Sequence, residues 1–229
     1  MSNQTIAYPI EERLYLSITD RCTLVCEFCP KTQGTMQVHE FDLTIDHRPE
    51  YEEIIAAIGD PSAYQEVVFC GFGEPTLRLK LLLQVAQWIK QRGGMTRINT
   101  DGLANLVHKR NVVPEMVGLI DTLSVSMNGQ NEAVYNQHCQ PQLEGAFSAM
   151  VEFLKAASGV IPSVTATAIE GLEGVDIDAC KVQADACGVA FRKRSLDIAT
   201  KIGSGLDKWS YIYHESRPDP QSFQQTDAD

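Results

Sequence analysis

The stretch LYLSITDRCTLVCEFCP, residues 14–30, places three cysteines directly behind a short strand-like run. Leu14, Leu16 and Ile18 alternate with Tyr15, Ser17 and Thr19, the period-two pattern of a strand with one apolar and one polar face. The alternation returns at Leu123, Val125 and Met127 against Ser124, Ser126 and Asn128, and at Val164, Ala166 and Ala168 against Thr165 and Thr167. A flat parallel sheet covered by helices on both sides favours apolar residues on both faces. An incomplete barrel, with helices only outside, can hold a polar ligand on its concave face. The alternation therefore favours a curved sheet, with a doubly wound open sheet as the alternative.

Outward from this stretch, residues 66–71, 96–101, 122–127, 163–169 and 189–194 also have strand length and composition. Helical patterns separate them. In the clearest, residues 75–94, Leu79, Leu82, Leu83, Ala86 and Ile89 share one face, Pro75 suits the first turn, and Gly93-Gly94 ends it. EYEEIIAAI, NVVPEMVGLI, LEGAFSAMVEFLKAA and DIDACKVQADACG are the others. Strands alternating with helices imply right-handed βαβ crossovers and a parallel sheet. Six such units fall short of the eight of a closed barrel, so the expected fold is α/β, a partial (β/α)6 TIM-type barrel open on one side.

With 229 residues, 44% of them apolar, the chain can bury one sizeable core. Residues 1–13 are expected to form an N-terminal segment, 14–194 the core domain, and 195–229 a C-terminal extension, disordered from about 215 because it offers little to bury. Residues 31–48 form a long polar connection, a kind of loop that is usually functional or mobile. A formal charge of −11 without a dense basic run disfavours non-specific nucleic-acid binding. Neither a secretory signal nor a membrane span is legible, which predicts a cytoplasmic protein. In a reducing compartment seven cysteines, three of them clustered, suggest metal binding or reactive thiols ahead of disulfides.

A structural zinc site takes four ligands, usually as two short pairs, and neither His39 nor Cys70 supplies a second pair. An ordinary four-iron cubane also asks for four thiolates. With three, one iron lacks a protein ligand and is open to a small molecule.

The pattern C-x3-C-x-Φ-C, here Cys22, Cys26, Phe28 and Cys29, resembles the signature of the radical S-adenosylmethionine (SAM) superfamily, placed as in that superfamily after the first strand of a partial barrel. The resemblance implies that these cysteines hold a [4Fe-4S] cluster. The free iron would chelate SAM, and reductive cleavage would release a 5′-deoxyadenosyl radical that abstracts hydrogen from a substrate. GFGEPT (71–76) is similar to the superfamily's GGEP motif, with Phe72 in place of the second glycine. Gly71, Gly73, Glu74 and Pro75 thereby correspond to the wall that receives the SAM amino group. Asn99, Thr100 and Asp101, with Ser126 and Asn128, resemble positions that hold the ribose hydroxyls and methionyl carboxylate. Thr167 and Ile169 lie where adenine packs, with Phe28 opposite. EVVFCGFGEPTLRL, INTDGLANLVHKRNVVPEM and TLSVSMNG look like the TatD-associated radical SAM proteins, across residues from about 10 to 194. TatD metal-ligand patterns are absent, so nuclease activity is not implied.

The implied partners are a reductant such as flavodoxin or ferredoxin and a small-molecule or peptide substrate. The competing reading is a non-catalytic iron–sulfur or zinc module. Cys70, Cys139, Cys180 and Cys187 are read as small core residues, and His39 and His47, in the long loop, as surface residues with substrate contact as the alternative, while His108, His138 and His214 receive no role. Arg192 and Lys193-Arg194 on the last strand are read as facing opposite sides. A basic residue there either enters the barrel mouth, where it would bind a carboxylate or phosphate, or ends the strand in solvent.

Overall fold

The computed structural model describes residues 4–195. Residues 196–229, which include all of the expected C-terminal extension but Ser195, and His214 with them, lie outside these.

Among the described residues, nine strands and seven α-helices follow in chain order: β1 (Ala7–Ile10), β2 (Arg13–Leu16), β3 (Gln37–Val38), β4 (Phe41–Asp42), α1 (Tyr51–Ile58), β5 (Glu66–Phe69), α2 (Leu79–Gln91), β6 (Thr96–Thr100), α3 (Ala104–His108), α4 (Val113–Met116), β7 (Thr122–Ser126), α5 (Glu132–Cys139), α6 (Ala146–Ala157), β8 (Ser163–Glu170), α7 (Ile177–Ala186) and β9 (Ala190–Ser195). Seven of these strands form one sheet in the order β1-β2-β5-β6-β7-β8-β9. β1 runs antiparallel to β2, and every later pair is parallel. The order never reverses, whereas a doubly wound sheet must turn back at a switch point. Crossovers of one hand in one direction place the helices on one face. The result is the expected α/β partial barrel, not closed.

The two faces divide as the alternation requires. Leu14, Leu16, Val67, Phe69, Ile98, Leu123, Val125, Ala166 and Ala168 are buried in one apolar core with α2 residues Leu79, Leu82, Val85, Ala86 and Ile89 and α6 residues Met150, Phe153 and Leu154. Burying a leucine or phenylalanine there stabilises the fold by roughly 1.5–3 kcal/mol. Val85 takes the buried place expected for Leu83, which is half-buried. Helix starts follow their caps. The Asn131 side chain accepts from the Val134 amide (3.0 Å) at α5, and Asp176 accepts from Ala179 (3.0 Å) at α7. Pro75 opens a 3₁₀ turn at Pro75–Arg78 ahead of α2.

Two features escape the sequence patterns. β1 contains Pro9, which argues against a strand but is tolerated at a sheet edge, where its missing donor is not needed. Within residues 31–48, β3 and β4 pair as a small hairpin. Val38 and Leu43 pack with Tyr8 and Phe72 into a second apolar cluster, joined by Tyr15, Phe41 and Cys29. The Tyr8 ring lies 5.6 Å from Tyr15 and 5.5 Å from Phe41. Phe72, the departure from the glycine-rich pattern, therefore anchors this hairpin beside the cysteine loop.

Candidate functional site

The cysteine loop leaves β2 and is held at several points. Val25 and Glu27 amides donate to the Cys139 and His138 carbonyls at the end of α5 (3.1 and 3.0 Å), and the Cys29 amide donates to the Cys26 carbonyl (3.1 Å). His138 is fully buried, with Nδ1 on the Glu27 carboxylate and Nε2 donating to the Glu173 carbonyl (2.7 Å). A histidine given no role from sequence thus clamps the residue between Cys26 and Phe28.

On the other side, the Glu74 amide donates to the Arg21 carbonyl at 2.7 Å. Gly73 permits that approach, because a Cβ there would lie 2.2 Å from the Thr19 carbonyl oxygen and 2.7 Å from that of Arg21. At Gly71 the nearest obstacle to an added Cβ is the Ser17 Oγ, at 2.8 Å.

Cys22, Cys26 and Cys29 are half-buried and free of disulfides. Burial raises the thiol pKa of Cys22, with the charges of Asp101 and Glu74 adding to it, and burial likewise raises Cys29. For Cys26 the leading cause is the hydrogen bond it shares with Cys139, followed by burial. Without metal these thiols stay protonated, so a bound cation must displace their protons. Among the described residues, no group of three or more His, Cys, Asp and Glu side chains is arranged to hold a metal ion. The donor set itself, three sulfurs on one tethered loop, suits iron–sulfur ligation by its softness.

The loop borders a cavity of about 210 Å³ on the concave side of the sheet. Cys26, Phe28 and Cys29 form one wall, Gly71, Gly73 and Glu74 the next, and Asn99, Thr100 and Asp101 follow from the end of β6. Ser126 and Asn128 come from β7, and Thr167 and Ile169 from β8. Of the sequence-predicted site residues, Cys22 and Pro75 do not line it. Cys22 packs against the main core, and Pro75 is buried in the turn it starts. Asn99 Oδ1 is buried in this wall with no hydrogen-bond partner among the described residues. Buried acceptors are nearly always paired, so an orphan facing a cavity marks where a donor belongs.

Glu74 is 4% exposed. Its Oε1 accepts from the Thr76 amide (2.9 Å), Thr76 Oγ1 (2.6 Å) and Thr100 Oγ1 (2.9 Å), and its Oε2 from the Asp101 amide (2.7 Å). Asp101 in turn accepts from the Leu103 amide (2.9 Å) and from the Thr23 hydroxyl beside Cys22. Burial, and then the charge of Asp101, raises Glu74 to about 8, and burial raises Asp101 as well. Two adjacent buried carboxylates resist ionising together unless a cation joins them.

Several cavity residues were not singled out from the sequence as site residues. Tyr8, Ile10 and Tyr15 reach it from β1 and β2, and Ser124 from β7. Only Ser124 and Tyr15 left a signal, their place on the polar face of an alternating strand. Cys70, expected in the core, instead lines the cavity. It sits past the last residue of β5, where the alternation turns it inward. Burial pushes its thiol up, while the Asn99 amide, Arg194 and Arg97 pull it down. Cys139, Cys180 and Cys187 are buried core residues as expected, and His47 is exposed beside Glu53 (2.7 Å). Deeper on the concave side, Glu66 joins Arg13 (2.7 Å) and Arg97 (2.6 Å) in an ion-paired floor.

No protein-family model matches the chain. A 92-residue segment, 39% of the chain, is 32% identical to the tungsten-containing aldehyde ferredoxin oxidoreductase cofactor-modifying protein of Pyrococcus furiosus, and covers 23% of that protein. Among solved structures, Streptococcus suis SuiB bound to the precursor peptide SuiA superposes with a TM-score of 0.60 at 13% identity, over 80% of this chain and 39% of that one. TYW1 with a lysine-pyruvate adduct bound gives 0.58 at 15% identity, over 80% and 64%. The chain spans less than two thirds of each of these proteins. At such identities the likeness is one of fold: this chain shares with both structures a partial α/β barrel.

Proposed function

We propose that the chain is a radical SAM enzyme, related to the TatD-associated group, that abstracts hydrogen from a small-molecule or peptide substrate. The observation that carries this reading is the opening of a three-thiol loop into the same concave cavity as the ends of β5, β6, β7 and β8. The neighbours in fold are radical SAM enzymes, which supports it.

In this reading Cys22, Cys26 and Cys29 hold a [4Fe-4S] cluster, which, when bound, supplies the electron that splits the sulfonium of SAM into methionine and a 5′-deoxyadenosyl radical. The chain's own residues bind and orient. Glu74 and Asp101 present buried negative charge to the SAM ammonium, which relieves their mutual repulsion. Asn99 Oδ1 accepts from a ribose hydroxyl, with Ser126 and Asn128 nearby. Ile169 and Thr167 face the adenine, with Phe28 opposite. The β3–β4 hairpin and the Tyr8 cluster exclude water from the cysteine side. A flavodoxin or ferredoxin in the cytoplasm is the proposed reductant. Among the described residues no helix is long and apolar enough to cross a membrane.

The test is anaerobic reconstitution with iron and sulfide, then incubation with SAM and dithionite. Formation of 5′-deoxyadenosine, abolished by Cys26→Ala, is the expected result. Retention of zinc with no uptake of iron or sulfide would instead make the chain a non-catalytic binding module.

A further inference from the structure

Arg192 and Arg194 stand on the concave face of β9, in register with Thr167 and Ile169 of β8, and both line the cavity. Arg192 Nη2 donates to Ser124 Oγ at 3.5 Å and Arg194 Nη2 to Asn128 Oδ1 at 3.1 Å. Lys193, between them, also borders the cavity but pairs with Glu170 (3.0 Å), so Arg192 and Arg194 share a face where the reading of the sequence divides them. The charge on this wall runs against the chain's overall −11.

The described acids around the cavity are engaged elsewhere. Glu74 and Asp101 are held by Thr76, Thr100, Thr23 and backbone amides, and Glu66 is shared by Arg13 and Arg97 on the floor. Among the described residues Arg194 has no carboxylate partner, and its buried Nε has no acceptor. A guanidinium with free donors in a partly enclosed cavity is a fork for a carboxylate or phosphate. β9 is also four strands from β5, whose end carries the wall assigned to the SAM ammonium.

We propose, building on the radical SAM reading above, that Arg192 and Arg194 form the recognition site for an oxyanion, carboxylate or phosphate, on the substrate itself. They are specificity residues on the β9 wall of the cavity, so that an anionic substrate is held with its body toward the concave floor.

The experiment titrates the full chain, both metal-free and reconstituted, with inorganic phosphate and with succinate at constant ionic strength, followed by calorimetry. Saturable binding of at least one anion is expected, weakened tenfold or more by Arg194→Gln and by Arg192→Gln. Arg194→Lys should recover part of it, and Lys181→Gln, on the outer helix α7, should leave it unchanged. Preference for phosphate or for succinate then identifies the oxyanion. Urea unfolding of the same variants, followed by circular dichroism, serves as the check on folding, and SAM affinity is expected to fall less than anion affinity. Absence of saturable binding for both anions would overturn the proposal. So would an equal loss of SAM affinity, since the arginines would then hold the methionyl carboxylate. Anion binding in a protein that makes no 5′-deoxyadenosine would sustain this site while refuting the enzymatic reading.

Discussion

Substituting alanine for Gly73 tests whether the GFGEPT turn is built to meet the cysteine loop. The added Cβ would lie 2.2 Å from the Thr19 carbonyl oxygen and 2.7 Å from the Arg21 carbonyl oxygen, both backbone atoms that cannot rotate away. Relief requires the turn to withdraw, which breaks the 2.7 Å bond from the Glu74 amide to Arg21. Overpacking of this kind costs about 1–3 kcal/mol and a lost buried hydrogen bond about 1 more, for a total of about 2–4 kcal/mol. For a chain of this length that lowers the melting temperature by roughly 5–15 °C. Gly71→Ala is the control, because its main obstacle is the Ser17 hydroxyl, a side chain that can turn; a loss of about 1 kcal/mol is expected there. Urea unfolding monitored by circular dichroism, with iron uptake in parallel, measures both. Equal stability of the two variants, or a Gly73→Ala protein within about 0.5 kcal/mol of wild type, would refute the packing argument.

Other outcomes follow from the same geometry. His138→Ala removes both the Glu27 contact and the bond to the Glu173 carbonyl, and should cost about 2–4 kcal/mol by urea midpoint while lowering iron uptake. In the metal-free chain Glu74 is raised to about 8, so the folded state binds a proton that the unfolded state has already lost above its ordinary carboxylate range. Stability should therefore fall as pH rises from about 4.5 to 8, and Glu74→Gln should flatten that slope whatever it does to absolute stability; urea midpoints at three pH values decide this. Phe72→Gly should release the β3–β4 hairpin, seen as faster proteolysis within residues 37–43 with the main sheet intact.

The six parallel strands were legible because each alternates or runs apolar over a strand length. The curvature was legible from the hydroxyls and amides on one face of residues 14–19, 122–128 and 163–169. Boundaries drifted by a residue or three; residues 17–19 and 70–71, for example, lie beyond their strands because they already belong to the site-bearing loops. β1 was hidden by Pro9 and by its short length, and α5 by its weak amphipathicity, since Tyr135, His138 and Cys139 are its buried residues. Most of the cavity wall followed from strand ends. The links that close it did not, because the pairing of Tyr8 with Phe41, of His138 with Glu27 and of Glu74 with Asp101 joins residues far apart in sequence. Local pattern carries no record of such contacts.

The proposed function requires that three cysteines hold a cluster with one iron left for SAM. Mössbauer spectroscopy of the ⁵⁷Fe-reconstituted chain, with and without SAM, decides it. One iron of the four is expected to change its spectrum when SAM is added. Four irons indifferent to SAM, or a chain that takes up no iron, would overturn the reading.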